Sequence, residues 1–244
     1  ETGGRHGAKY VAENIRTKPD FAIVGEQTFN RVAVGEKGFA STNVVVHGQA
    51  AHGALPWEGS NAIEGMAAVI LALRDELWPK LEQRTHPYFH HSSASINMIE
   101  GGVKQNVVAD RCAIYVDRRV IPGEDPAAGV DEIREIAERA VAGLKGIRVE
   151  VSAASAGAAS MSDPDSPVVK AMLAANTYLG LNTDLTGFSM GTDGRHFAAT
   201  GVPTIIYGPG DPALAHVPDE WVGVDEVIGA TKAYALVALE MLGD

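Results

Sequence analysis

Between residues 42 and 151 the hydrophobic period changes from two to 3.6 and back, twice over, and few folds satisfy that order. Residues 42–47 read as a strand with the β-branched run Val44, Val45 and Val46 at its centre. Residues 61 to about 77 read as a helix whose inner stripe is Ile63, Met66, Ala67, Ile70 and Leu73. A strand at 93–99, a turn at Gly101-Gly102 and a strand at 109–116 follow. In the last of these, Cys112, Ile114 and Val116 alternate with Arg111, Ala113 and Tyr115. A second helix at 130–144, striped by Ile133, Ile136, Ala137, Ala140 and Val141, leads to a strand at 147–151. The order β-α-β-β-α-β is the split βαβ pattern of a two-layer sandwich.

The flanks follow a different pattern. Residues 1–7 read as a turn, 7–16 as a helix ended by Pro19, and 21–24 as a short apolar strand closed by Gly25-Glu26. A carboxylate just past a buried strand is where open α/β sheets place site residues. Residues 152–162 are small and polar, which suits a linker. Beyond them come a helix at 166–179, a strand at 184–186, a Gly-rich turn at 187–194, a helix to Ala199, a strand at 203–207, a loop at 208–218 and a helix at 224–242. The expected fold class is α/β: a catalytic domain made of 1–36 and 152–244, interrupted by an inserted α+β lid domain at 37–151.

The net charge of −11 argues against nonspecific binding to nucleic acid or an anionic membrane. No apolar run approaches 18 residues, so no transmembrane helix is expected. The single cysteine, Cys112, excludes an intrachain disulfide and a cysteine-rich metal site, and it fits a reducing, cytoplasmic setting. The chain opens at Glu1 inside a Gly-rich turn, and an N-terminal portion is expected upstream of it.

Two histidines stand in loops that could carry chemistry. His52 lies between the strand at 42–47 and the helix that follows; taken alone, such a residue is ordinarily a solvated side chain. Before that strand, Gly35 and Gly38 bound a turn carrying Lys37. His216 sits in a Pro- and Gly-rich loop after a buried strand, and with Glu1 and Glu26 it supplies donors that suit Zn²⁺. A rival reading uses Gly187-Phe188-Ser189-Met190-Gly191, a G-x-S-x-G sequence followed by Asp211 and His216 in the order of a serine esterase triad. No HGGG-type oxyanion segment accompanies it. Gly3-Gly4-x-x-Gly7 matches neither standard phosphate-loop pattern.

A set of short motifs spans almost the whole chain in order. They are E-T-G-G-x-x-G at 1–7, V-G-E at 24–26, G-E-K-G at 35–38, H-G-x-A-A-H-G-x-x-P at 47–56 and N-A-I at 61–63. G-G-x-x-x-N-V-V at 101–108, D-R-R at 117–119, G-T-D-G-R at 191–195 and A-H-x-P-D-E ending at 220 complete the set. In these the chain resembles the di-zinc amidohydrolase family of acetylornithine deacetylases, succinyl-diaminopimelate desuccinylases, aminoacylases and glutamate carboxypeptidases. The resemblance implies hydrolysis of the amide bond of N-acyl amino acids or small peptides by water activated between two Zn²⁺, with Co²⁺ or Mn²⁺ as other metals. It assigns Glu1 and His216 to one metal and Glu26 to the other. The general base would be the residue before Glu1, and two further ligands, a histidine and a bridging aspartate, would also lie upstream. It implies a homodimer through the inserted domain, with His52 reaching the partner subunit's site to stabilise the oxyanion. Asn106, Arg119, Thr192 and Arg195 would contact the substrate carboxylate or the oxyanion, with Arg118 as the alternative to Arg119. Against this reading stand the serine esterase and a noncatalytic dimerisation module, the latter because part of the metal site is missing.

Overall fold

In the computed structural model, which describes residues 7–243, the alternation expected around Cys112 becomes β5 (Arg111–Val120), a strand with one face sealed and one open. Cys112, Ile114, Val116 and Val120 are buried on the sealed face. β5 pairs antiparallel with β3 (Gly38–His47) on one side and β4 (Ser93–Gly101) on the other. β3 in turn pairs antiparallel with β6 (Arg148–Gly157), giving the order β4-β5-β3-β6. The covering helices are α2 (Ala62–Ala72), α3 (Trp78–Glu82) and α4 (Pro126–Val141). Their buried side chains Met66, Val69, Leu73, Leu77 and Ile133 meet Val44, Val46 and Ile114 in one core. This is the two-layer sandwich expected from the hydrophobic period.

Local chemistry explains where those helices begin. Asn61 accepts the N–H of Ile63 and caps α2, and Asp125 accepts the N–H of Ala127 ahead of Pro126 and caps α4. The first helix does not stop at Leu77. It passes through a π turn, Leu73–Leu77, into α3. The wider turn lies directly before Pro79, which has no N–H to donate.

Two expectations are corrected here. Residues 35–38 are not a turn: β2 (Ala33–Glu36) runs almost directly into β3 through a buried Lys37. Gly35 serves close approach instead, since a Cβ there would lie 2.0 Å from the Ser160 carbonyl oxygen. Residues 152–157 are not a linker but the second half of β6, paired with Phe39–Asn43. β6 is an edge strand with mostly exposed residues in this stretch, so backbone pairing alone holds it and leaves no apolar alternation to read. The division between compact units accordingly falls later than residue 151. One unit is Gly38–His86 with His91–Ala158; the other holds the described residues up to Lys37, Pro87–His90 and those from Ala159 onward.

In that other unit, β1 (Ala22–Val24) runs parallel to β9 (Thr204–Ile206). β9 pairs antiparallel with β2, which also pairs with β7 (Ser160–Met161) and with β8 (Thr186–Phe188). α5 (Pro167–Leu179) and α7 (Val224–Leu242) bury Val168, Met172, Ala233 and Val237 against Val34, Ile205 and Tyr207. The short α6 (Gly194–Ala199) packs against β1 and β9, and α1 (Ala8–Asn14) packs against α6. Among the described residues no helix is long and apolar enough to cross a membrane.

Candidate active site

Because β1 and β9 are parallel neighbours, the loops leaving them emerge side by side. The Gly208 carbonyl accepts the N–H groups of Thr28 at 3.1 Å and Asn30 at 2.9 Å, and Gly210 accepts that of Phe29 at 2.9 Å. A Cβ at Gly208 would come within 2.6 Å of the Glu26 carbonyl oxygen, so glycine is required where the two loops touch. Phe29 and Asn30 adopt φ of 54° and 55°, a costly region for non-glycine residues, and the three hydrogen bonds hold them there. Glu26, on the same loop, lines a cavity of about 620 Å³ together with Gln27, Asp211, Glu220, Trp221 and Tyr234.

His216 stands on the loop between two of those lining residues, exposed and with φ of 64°. Its N–H donates to Glu220 Oε2 at 3.2 Å, while Gln27 Nε2 donates to Glu220 Oε1 at 3.1 Å. Glu220 thus ties the His216 loop to the residue beside Glu26. Carboxylate oxygen and imidazole nitrogen are donor types that Zn²⁺ accepts; Glu26 lines the cavity, and His216 stands on the adjoining loop. Glu1, the third ligand expected, lies outside the described residues. Among the described residues no three His, Cys, Asp or Glu side chains converge to hold a metal ion.

Thr192 and Arg195 lie in the same unit but gather around a different carboxylate, Glu36, which the sequence reading passed over. Glu36 is 1% exposed at the end of β2 and accepts the Thr192 N–H. Burial pushes its carboxyl up to about 7, against the lowering effect of Thr192 and of the Arg195 charge. The signal available in the sequence was a glutamate closing the apolar run Val32-Ala33-Val34.

The G-x-S-x-G reading is corrected by the same region. Ser189 follows β8 and is exposed, but α6 does not begin until Gly194, so the tight strand–turn–helix elbow is not formed. Asp211 accepts the N–H of Ala213 and caps a short 3₁₀ turn. The G-x-S-x-G match is therefore one of composition.

The remaining candidates belong to the sandwich unit. His52 and Asn106 are brought together: His52 bridges Val107, and the Gly53 N–H donates to the Asn106 carbonyl at 2.8 Å. His52 Nδ1 accepts the Ala54 N–H at 3.1 Å, which leaves Nε2 as the nitrogen able to carry a proton outward. Both side chains are exposed. The two arginines separate by strand alternation. Arg118 is 1% exposed beneath α4, donating to the Gly129 carbonyl at 3.0 Å and pairing with Glu124 and Glu132. Burial would raise both glutamates, but hydrogen bonds from Ser92 and Arg84 and the Arg118 charge hold them below the usual range. Arg119 lies on the opposite, open face and is held by Asp117 through two contacts of 2.9 Å. Arg119 is thus the more exposed of the two arginines.

Residues 34–145 match a peptidase dimerisation domain of the M20 type. A Mycobacterium tuberculosis protein named as a succinyl-diaminopimelate desuccinylase is 30% identical over 213 residues, covering 86% of this chain and 56% of that protein. Acetylornithine deacetylase of Pectobacterium atrosepticum is 29% identical over 230 residues, covering 88% of this chain and 55% of that protein. The chain therefore spans a little over half the length of these relatives. Among solved structures, a tripeptidase from Staphylococcus aureus superposes with a TM-score of 0.77 at 21% identity, covering 96% of this chain and 61% of that one. Aminopeptidase PepT from Bacillus cereus superposes with 0.75 at 21% identity, covering 98% and 62%. Residues 34–145 are thus matched as an M20-type peptidase dimerisation domain, and over most of its length the chain is similar to proteins named as a desuccinylase and a deacetylase.

Proposed function

We propose that the protein to which this chain belongs is a metal-dependent hydrolase of the amide bond in N-acyl amino acids or small peptides. The observation that carries this reading is the backbone clamp between the loops of β1 and β9, which joins the Glu26 loop, lining a cavity of about 620 Å³, to the loop that bears His216. Glu26 and His216 would hold metal, with Glu1 and ligands from residues beyond this chain completing two Zn²⁺ sites. Bound metal would acidify a water and polarise the scissile carbonyl. In this reading Arg195 and Thr192 supply contacts for a substrate carboxylate or the oxyanion, and the sandwich unit offers Arg119 and Asn106 for the same chemistry. His52 donates from Nε2 to the oxyanion of a partner subunit's site, in a homodimer formed through the dimerisation domain. The relatives named above are a desuccinylase and a deacetylase, which supports acyl-amino-acid substrates.

The test is hydrolysis by the intact protein of a panel of N-acetyl and N-succinyl amino acids and dipeptides. A chelator should abolish turnover and added Zn²⁺ should restore it. Turnover that survives the chelator but stops with an organophosphonate would overturn the reading in favour of a serine enzyme.

A further inference from the structure

A carboxylate is among the groups least often fully buried, yet Glu36 has 1% of its surface exposed. Oε2 accepts the N–H of Thr192, itself 5% exposed, and Thr192 Oγ1 accepts the N–H of Gly194 at 2.9 Å. The carboxylate therefore sets the turn that opens α6, one residue before Arg195. Oε1 is buried and has no hydrogen-bond partner. A neutral acceptor would hold the Thr192 N–H without the desolvation that burying a charge entails. What a neutral side chain cannot supply is negative charge next to Arg195, and the Arg195 charge does act on Glu36. Among the described residues, the flanking strands bring no other charge to Glu36, whose partners there are Ser160 on β7 and Phe188 on β8. At the start of α6, Asp193 and His196 lie 4.0 Å apart and face each other.

We propose that Glu36 is a positioning residue for a substrate carboxylate: through Thr192 it fixes the start of α6, and its own charge sets how much of the Arg195 charge a bound carboxylate feels. The inference rests on the reading of Arg195 as a substrate contact. When Glu36 is ionised, Arg195 is shared between it and the ligand. When Glu36 takes up a proton, Arg195 acts on the ligand alone. Because burial places that protonation near 7, a ligand carboxylate binds more tightly below neutrality than above it, and its binding draws a proton onto Glu36.

The experiment uses the intact protein and ligands that cannot be hydrolysed: a panel of N-methylsulfonyl amino acids with acidic, basic and apolar side chains, and the carboxamide of each. Dissociation constants are measured by calorimetry at pH 5.5 and pH 8. Wild type should bind the carboxylates at least threefold more tightly at pH 5.5. Glu36→Gln, which keeps an acceptor for Thr192, should bind them with the lower-pH affinity at both values. The carboxamides should be indifferent to pH and to the substitution. The proposal is overturned if Glu36→Gln keeps the wild-type pH dependence, if carboxamides shift as carboxylates do, or if wild type binds none of the panel. Failure of wild type to hydrolyse amides would sink the reaction proposed above, and these binding outcomes would still decide the role of Glu36.

Discussion

Burial of a single carboxylate, Glu36, ties the stability of the fold to pH. Its carboxyl is raised from an ordinary 4.5 to about 7, so between those values the folded chain keeps a proton that the unfolded chain has released. Stability is therefore highest below about pH 4.5 as far as this group is concerned, and falls as pH rises through 7. A rise of that size corresponds to roughly 3 kcal/mol. Glu36→Gln should accordingly leave Tm little changed at pH 5 and raise it at pH 8, by several degrees for a chain of this size. Thermal melts of the two proteins at both values check this, and an equal shift at both would place the effect in packing. Arg118 is the opposite case. Its charge is buried as deeply, but Glu124 and Glu132 compensate it, and nothing about it points to a ligand. Adjacent arginines in one strand thus have unlike surroundings because alternation turns one under the helices and the other to the open face.

At the scale of elements, the continuous helical stretch from Ala62 to Glu82 carries much of the sandwich core. Met66, Val69, Leu73, Leu77 and Leu81 are all at most 1% exposed along it. Leu73 lies where the α-helix passes into the π turn. Leu73→Ala should destabilise the protein by about 2–5 kcal/mol, read from the midpoint of urea unfolding, since the turns on either side cannot both close the cavity. Loss of under 1 kcal/mol would mean that the π turn relaxes to fill it. β6 is legible in its first half, where Val149 and Val151 alternate with Arg148 and Glu150. Its second half has the composition of a linker, because Ser152, Ala153, Ala154, Ser155 and Ala156 offer no large apolar face. The pairing that holds them belongs to β3.

For the whole molecule, the proposed chemistry requires more than one chain. If His52 serves a partner's site, His52→Ala in the intact protein should keep its metal and its dimer while losing kcat by roughly 10²-fold, with a smaller change in KM. Were His52 a ligand of its own subunit's metal, the substitution would strip metal instead, which elemental analysis would show. Mixing His52→Ala with His216→Ala gives heterodimers with one site that has both a whole metal shell and an intact His52. Activity should recover to roughly a quarter of wild type at most, since half the dimers are mixed and each holds one good site. Subunit exchange without recovery would end the cross-subunit assignment.

The sequence by itself determined the sandwich. Its order and its buried faces follow from hydrophobic period, which is a local property that each strand and helix carries in its own residues. It also carried the resemblance, because G-E-K-G, A-H-x-P-D-E and the motifs between them stand in order along it, and a relative is 30% identical over 213 residues. Only the tertiary structure decided which loops meet. The Glu26 loop and the His216 loop meet because β1 and β9 are parallel neighbours, a pairing between strands nearly the whole chain apart. Glu36 became a candidate only when Thr192 and Arg195 folded over it. A glutamate's burial, and with it the shift in its carboxyl, is contributed by distant segments and leaves no periodic trace in its own.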